Sequence, residues 1–159
     1  MSDLATVAPA FVEMAHRIVW CIVATVDPAG RPRTRVLHPI WELADGALTG
    51  WIATDPTSPK RAHLDAHPVV SLTYWDPSQD TCTAQCSVHW ELDDAQKRAG
   101  WERFVQGPAP VGYDPSLIPQ WTAPEVERFG ILRLEPYTLR VLPGSVMTEG
   151  RGELLTWHA

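Results

Sequence analysis

The chain is short of cysteine. Cys21, Cys82 and Cys86 are an odd number in 159 residues, with no C-x-x-C pair among them, so neither a disulfide framework nor the usual thiolate zinc or redox spacing is present. All three are expected to be packed thiols in a reducing compartment. No apolar run approaches the roughly 20 residues a membrane-spanning helix requires. The first ten residues lack the basic segment and apolar stretch of a secretion signal, which makes the cytoplasm the expected location. Positive charge is scarce as well: 13 Lys and Arg against 19 Asp and Glu give a formal net charge of -6. Nucleic-acid binders need clustered positive charge, so nucleic acid is excluded as the main partner. Phosphate-loop and dinucleotide glycine patterns are missing, and no Ser/His/Asp or Cys/His arrangement suggests nucleophilic catalysis.

An apolar fraction of 45% with 20% charged residues describes a soluble globular chain. The length suits one domain over residues 1–159. Fifteen prolines and eight tryptophans are both high; the prolines fall between apolar runs, as loop punctuation does. There is no internal repeat and no linker-like composition break.

Residues 7–19 carry Val7, Phe11, Met14, Ala15 and Ile18 at helical spacing and predict an amphipathic helix over one barrel face. Residues 20–26 read as a strand, 27–30 as a turn with proline second and glycine fourth, and 31–41 as the returning strand of a hairpin. In that return Arg31, Arg33 and Arg35 fall on one face of the period-two ladder, either a solvated stripe or a small-anion site. A third strand spans 47–53, and a short helix is expected from Lys60 to His67, with Ser58 as N-cap and Pro59 at the first position. Residues 68–75 form the next strand. Residues 81–91 alternate cleanly, placing Cys82, Ala84, Cys86, Val88 and Trp90 opposite Thr83, Gln85, Ser87, His89 and Glu91. A helix over 93–106 with Ala95, Ala99, Phe104 and Val105 inward, a proline-rich excursion over 107–124, and strands at 129–135 and 137–142 complete the pattern before a short tail. Six or seven short strands with helices at the ends suggest a mainly β protein, a β-barrel.

The most informative stretch runs from Gly50 to Arg61, a strand ending in the loop Thr54-Asp55-Pro56-Thr57-Ser58-Pro59-Lys60 that opens onto a helix. Backbone N–H groups at the helix start, three hydroxyls and two full positive charges suit a phosphate. An ordinary helix start with solvated basic residues has the same spacing. His63 and His67 are four apart on the helix, but no third ligand is spaced to complete a metal site, so no metal is expected. His89 and Glu91 read as a surface pair. Trp41, Trp51, Trp75, Trp90 and Trp101 read as core or interface residues, one or two of which are candidates to stack on a ring or wall a substrate pocket.

In order, Gly30-Arg31-Pro32-Arg33-Thr34-Arg35-Val36-Leu37, then Thr54 to Lys60, then Ala66-His67-Pro68 with the apolar strand to Trp75, resemble the pyridoxamine phosphate oxidase-like, FMN-binding split-barrel superfamily. The resemblance is good over residues 18–92 and in outline elsewhere. It implies a split β-barrel of the FMN-binding type. It also implies a site in which Arg35, Val36, Leu37 and His38 lie along the flavin, Ala53 and Thr54 form the next contacting strand end, Ser58, Lys60 and Arg61 cradle the phosphate, and Gln85 approaches the ring. A homodimer with the cofactor at the subunit interface is implied too. Departures are Ile40, where the oxidase usually carries a lysine, Trp90, where glycine is common, and a missing C-terminal Arg-Leu-His-x-Arg segment. Oxidation of vitamin B6 is therefore not expected. The expectation is an FMN-dependent oxidoreductase of a small organic substrate with a nicotinamide as a candidate reductant. The alternatives are a deazaflavin-dependent reductase or a non-catalytic flavin- or haem-binding stress or storage protein. The substrate pocket is expected from residues 100–124, the tail and the second subunit.

Overall fold

A computed structural model describes residues 2–159. Helix α1 (Leu4–Ile18) leads into strands β1 (Cys21–Val26), β2 (Pro32–Leu37), β3 (Ile40–Ala44) and β4 (Ala47–Thr54). Helix α2 (Lys60–Ala66) precedes β5 (Val69–Trp75) and β6 (Thr81–Glu91), and α3 (Asp94–Val105) is followed by one 3-10 turn, Pro115–Leu117. Strand β7 (Gly130–Leu142), helix α4 (Gly144–Glu149) and β8 (Leu155–His158) end the chain.

The strands form one antiparallel sheet in the order β2-β1-β5-β6-β7-β4-β3, with β8 added beside β7. Its two edge strands, β2 and β3, are consecutive in the chain, and only His38 and Pro39 lie between them. Two residues span at most about 7 Å, so the sheet has to curl until its opposite edges nearly meet. They are not paired to each other, and the barrel is split along that seam. The expected unbroken strand over 31–41 is thus two strands. Proline cannot donate a ladder hydrogen bond, and Pro39 sits where the chain changes from one edge to the other.

Inside the curl, β6 contributes Cys82, Ala84, Cys86 and Val88, all buried as the alternation predicts, against Val23, Leu72, Leu134 and Leu139. Helix α1 inserts Val7, Phe11, Met14 and Ala15 into the same core, with Phe11 edge-on to Trp41 at 4.9 Å. Each large side chain so buried contributes about 1.5–3 kcal/mol. The three thiols are free and buried, and burial lifts Cys21 to about 12. These thiols stay protonated and act as packing groups.

Several expectations are corrected. Helix α3 turns Lys97, Gly100 and Phe104 inward, while Ala95, Ala99 and Val105 face outward. It packs on Ile131 through Gly100, where an added Cβ would lie 2.2 Å from that side chain. The two strands expected at 129–142 are one strand, β7, with a bulge: Gln85 pairs with Thr138 but Cys86 with Pro136, leaving Tyr137 unmatched. The tail adds a helix and an eighth strand. Pro59, not Ser58, is the residue before α2; the Ser58 hydroxyl instead donates to the Asp55 carbonyl at 2.7 Å.

Candidate functional site

The seam creates the site. Where β2 ends at the corner and β4 ends at Thr54, a cavity of about 510 Å³ opens, within the range of about 300–1,000 Å³ typical of small-molecule sites. One side is Val36, Leu37 and His38 with Ala53 and Thr54. The other is Trp20, Tyr113, Ile118 and Trp121. The proline-rich excursion therefore folds back over the barrel end, seated on Ile40, Phe104, Val111 and Phe129. The position where the oxidase usually has lysine now belongs to that small core, since Ile40 is only 2% exposed.

His38 ties corner and cover together. Its Nε2 lies 2.7 Å from the Val111 carbonyl oxygen. A carbonyl only accepts, so Nε2 carries the proton and the neutral ring leaves Nδ1 bare. The imidazole sits 5.0 Å from both Trp20 and Tyr113, making one aromatic wall. Burial lowers the His38 pKa, against the raising effect of its bond to Val111. Burial also pushes the Tyr113 phenol up to about 12, so its hydroxyl keeps its proton. Trp121 is fixed by donating Nε1–H to the Arg128 carbonyl at 2.8 Å and by an edge contact with Phe129.

Beside this apolar chamber lies a cationic one. A second cavity, about 630 Å³, is lined by Arg31, Arg33 and Arg35 with Pro59 and His63. The predicted ladder is realised, but its members differ. Arg31 and Arg33 both turn to the buried carboxylate of Asp27, at 2.8 Å and 3.1 Å. Among the described residues Arg35 has no carboxylate partner; its guanidinium donates to the Val23 carbonyl at 3.1 Å. Lys60 likewise has no ion pair among them, and its ammonium donates to the Asp55 carbonyl at 3.2 Å and to the Ser58 hydroxyl. Burial lowers the Lys60 pKa, Asp55 opposes that fall, and the nearby Arg35 charge adds to it. Two partly buried, mutually repelling cations beside a hydroxyl have the chemistry of an anion site.

The pyridoxamine 5'-phosphate oxidase family pattern matches residues 7–141. The chain belongs to this family. A solved relative of general stress protein 26 from Clostridium acetobutylicum, ascribed to the pyridoxinephosphate oxidase family, aligns with TM-score 0.70 at 14% identity, over 99% of this chain and 96% of that one. An FMN-binding protein from Nostoc punctiforme, related to pyridoxamine 5'-phosphate oxidase, aligns with TM-score 0.62 at 20% identity, over 96% and 93%. An F420 reductase aligns with TM-score 0.54 at 19% identity, over 79% and 92%. No curated protein matches the sequence.

In this pyridoxamine 5'-phosphate oxidase family chain, the expected site residues fall into three groups. Val36, Leu37, His38, Ala53 and Thr54 share the apolar cavity, while Arg35, Ser58 and Lys60 gather at the cationic end. Arg61 and Gln85 are elsewhere. Arg61 bonds to Asp65 at 2.9 Å and lies 5.7 Å over the Trp90 ring, in a different groove from Arg35. Gln85 is exposed on the outer sheet face beside Val69 and Tyr137. His63 is engaged by the Thr25 hydroxyl at 3.0 Å, and no metal-binding cluster occurs among the described residues. His89 pairs with Glu135, not Glu91. Trp20, Tyr113, Ile118 and Trp121 went unidentified as individual residues, although the 100–124 segment was expected to line the pocket. Tail residues 143–159 contribute nothing to the cavity lining.

Proposed function

We propose that this protein holds FMN, with its phosphate on Arg35, Lys60 and Ser58 and its ring in the adjoining apolar cavity, and acts as a flavin-dependent oxidoreductase. The observation that carries the reading is the pair Arg35 and Lys60: partly buried cations with no carboxylate within ion-pair distance among the described residues, at the loop end of a cavity wide enough for a ring system. A phosphate is a fitting counter-charge for such a pair. Bound flavin would supply hydride or electron transfer. The chain's own residues position and shield it. Val36, Leu37 and Ala53 offer an apolar wall, and the cover carrying Tyr113, Ile118 and Trp121 keeps water from the opposite side.

A homodimer is part of this proposal. Ile22 and Val36 are paired across β1 and β2 and are 53% and 59% exposed. With Val69, Trp75 and Tyr137 they make an exposed apolar sheet face, a feature of interaction surfaces. Gln85 lies on this same face. A second copy seated here would bring its own outer face toward the cavity mouth.

A deazaflavin coenzyme is the second reading, favoured by the F420 reductase among the structural relatives and by a cationic end that serves any phosphate. Titrating purified protein with FMN, a deazaflavin coenzyme and haem, each followed by its absorption bands, tests both readings. Saturable FMN binding that a nicotinamide reductant then bleaches under anaerobic conditions is the expected result. Uptake of haem alone, or of no chromophore, would contradict the proposal.

A further inference from the structure

Charge is sorted along the site. The site's cations lie at the Arg35 and Lys60 end, and among the described residues no Lys, Arg, Asp or Glu lines the apolar cavity. Its ionisable side chains are His38, whose pKa burial lowers, and Tyr113, raised to about 12. Both are uncharged at neutral pH. Once a phosphate occupies the cationic end, an anionic substrate in the cavity would shed its water and meet no counter-charge from this chain, which disfavours an unpaired ion.

The cover side is aromatic and held in place. Tyr113 is braced edge-on by Phe104 at 5.2 Å and leans on His38 at 5.0 Å, while Trp121 is braced by Phe129 at 5.2 Å. Trp20 completes the wall from the β1 side, 5.0 Å from His38. Such faces and edges favour planar rings in offset or edge contacts. Ile118, 37% exposed, stands at the rim.

We infer that the substrate side of this cavity, enclosed by Trp20, Tyr113, Ile118 and Trp121, selects neutral planar aromatic molecules and rejects phosphorylated or carboxylated ones. The inference rests on the flavin reading above. It makes an aromatic vitamer phosphate a poor ligand for this family member, because the Arg35 and Lys60 cations beside the cavity serve the cofactor.

The test uses FMN-loaded protein and two near-isosteric probes, naphthalene-2-carboxamide and 2-naphthoate, with binding read from perturbation of the flavin absorption bands. The amide is expected to bind at least tenfold more tightly than the carboxylate. In Ile118→Arg, with melting temperature as the check on folding, the ratio is expected to fall or invert, since the new guanidinium supplies the missing counter-charge. Equal affinities in the parent protein, no perturbation by either probe, or a ratio unchanged in Ile118→Arg would overturn the inference. Failure to load FMN at all would instead defeat the cofactor reading.

Discussion

Lys60 and Arg61 are neighbours in sequence that face different grooves of the structure. Successive helical positions are rotated by about 100°. Lys60 therefore reaches back to Asp55 and Ser58 beside Arg35, while Arg61 pairs with Asp65 over Trp90. The loop's character and the helix start at Lys60 were legible in the sequence, but the division of labour was not, because which groove each side of the helix faces depends on the strands packed around it. Lys60→Ala is expected to weaken FMN binding about 10- to 100-fold, from a charge-assisted contact of about 1.5–3 kcal/mol. Arg61→Ala should leave it nearly unchanged, because Arg61 pairs with Asp65 in a different groove. Fluorescence titration of both variants distinguishes them. His16 gives a pH dependence. Its Nε2 accepts the Trp41 backbone N–H at 2.9 Å, so folding holds it unprotonated, and burial, followed by the His38 charge, lowers its pKa. With the folded pKa below the unfolded value of about 6.5, the unfolded chain takes up protons first. Stability is thus full above about 6.5 and falls with acidification through the lowered folded value. Urea midpoints should drop between pH 7 and 5, and His16→Gln should flatten that slope.

Among the elements, β6 was the most legible. Its apolar and polar residues alternate without interruption from Thr81 to Glu91, and the observed strand has those bounds. Side-chain alternation follows from the pleat, so one face had to be core. The return of the first hairpin was misread because Pro39 breaks a stretch whose composition stays strand-like on both sides. The excursion over 107–124 was least legible. Its conformation is set by contacts with Phe104 and Phe129, which flank it, and with Ile40, far away in sequence, and by a turn that folds back on itself at Gly107 and Gly112. A Cβ on Gly112 would lie 2.2 Å from the Gly107 carbonyl oxygen. Backbone cannot yield as a flexible side chain can, so Gly112→Ala should cost about 1–3 kcal/mol of local stability. The expected signature is faster proteolysis within 107–121 and weaker aromatic-probe binding, with the barrel still folded by circular dichroism. Unchanged protease sensitivity would count against the cover's role.

At the scale of the whole molecule, a two-residue corner fixes the architecture: β2 and β3 are the outer edges of the sheet and neighbours in the chain, so the sheet curls and the seam becomes the site. The split-barrel class was legible through the order of the motifs. No local pattern shows that Gln85 lies away from the cavity of its own chain, because only the curl and the assembly determine that. Ile22→Glu places a charge in the exposed apolar face, at a residue that lines neither cavity but is paired with Val36. Sedimentation velocity should show a dimer for the parent and a monomer for this variant, with FMN affinity falling alongside. A monomeric parent would refute the assembly. The central claim is that Arg35, Lys60 and Ser58 anchor the phosphate of a flavin. It is tested most directly by comparing FMN with riboflavin, which differ only in that phosphate, in equilibrium titrations of the unaltered protein. Two charge-assisted contacts of at least about 1.5 kcal/mol each amount to a preference of about 100-fold or more for FMN. Equal affinities for FMN and riboflavin would contradict it.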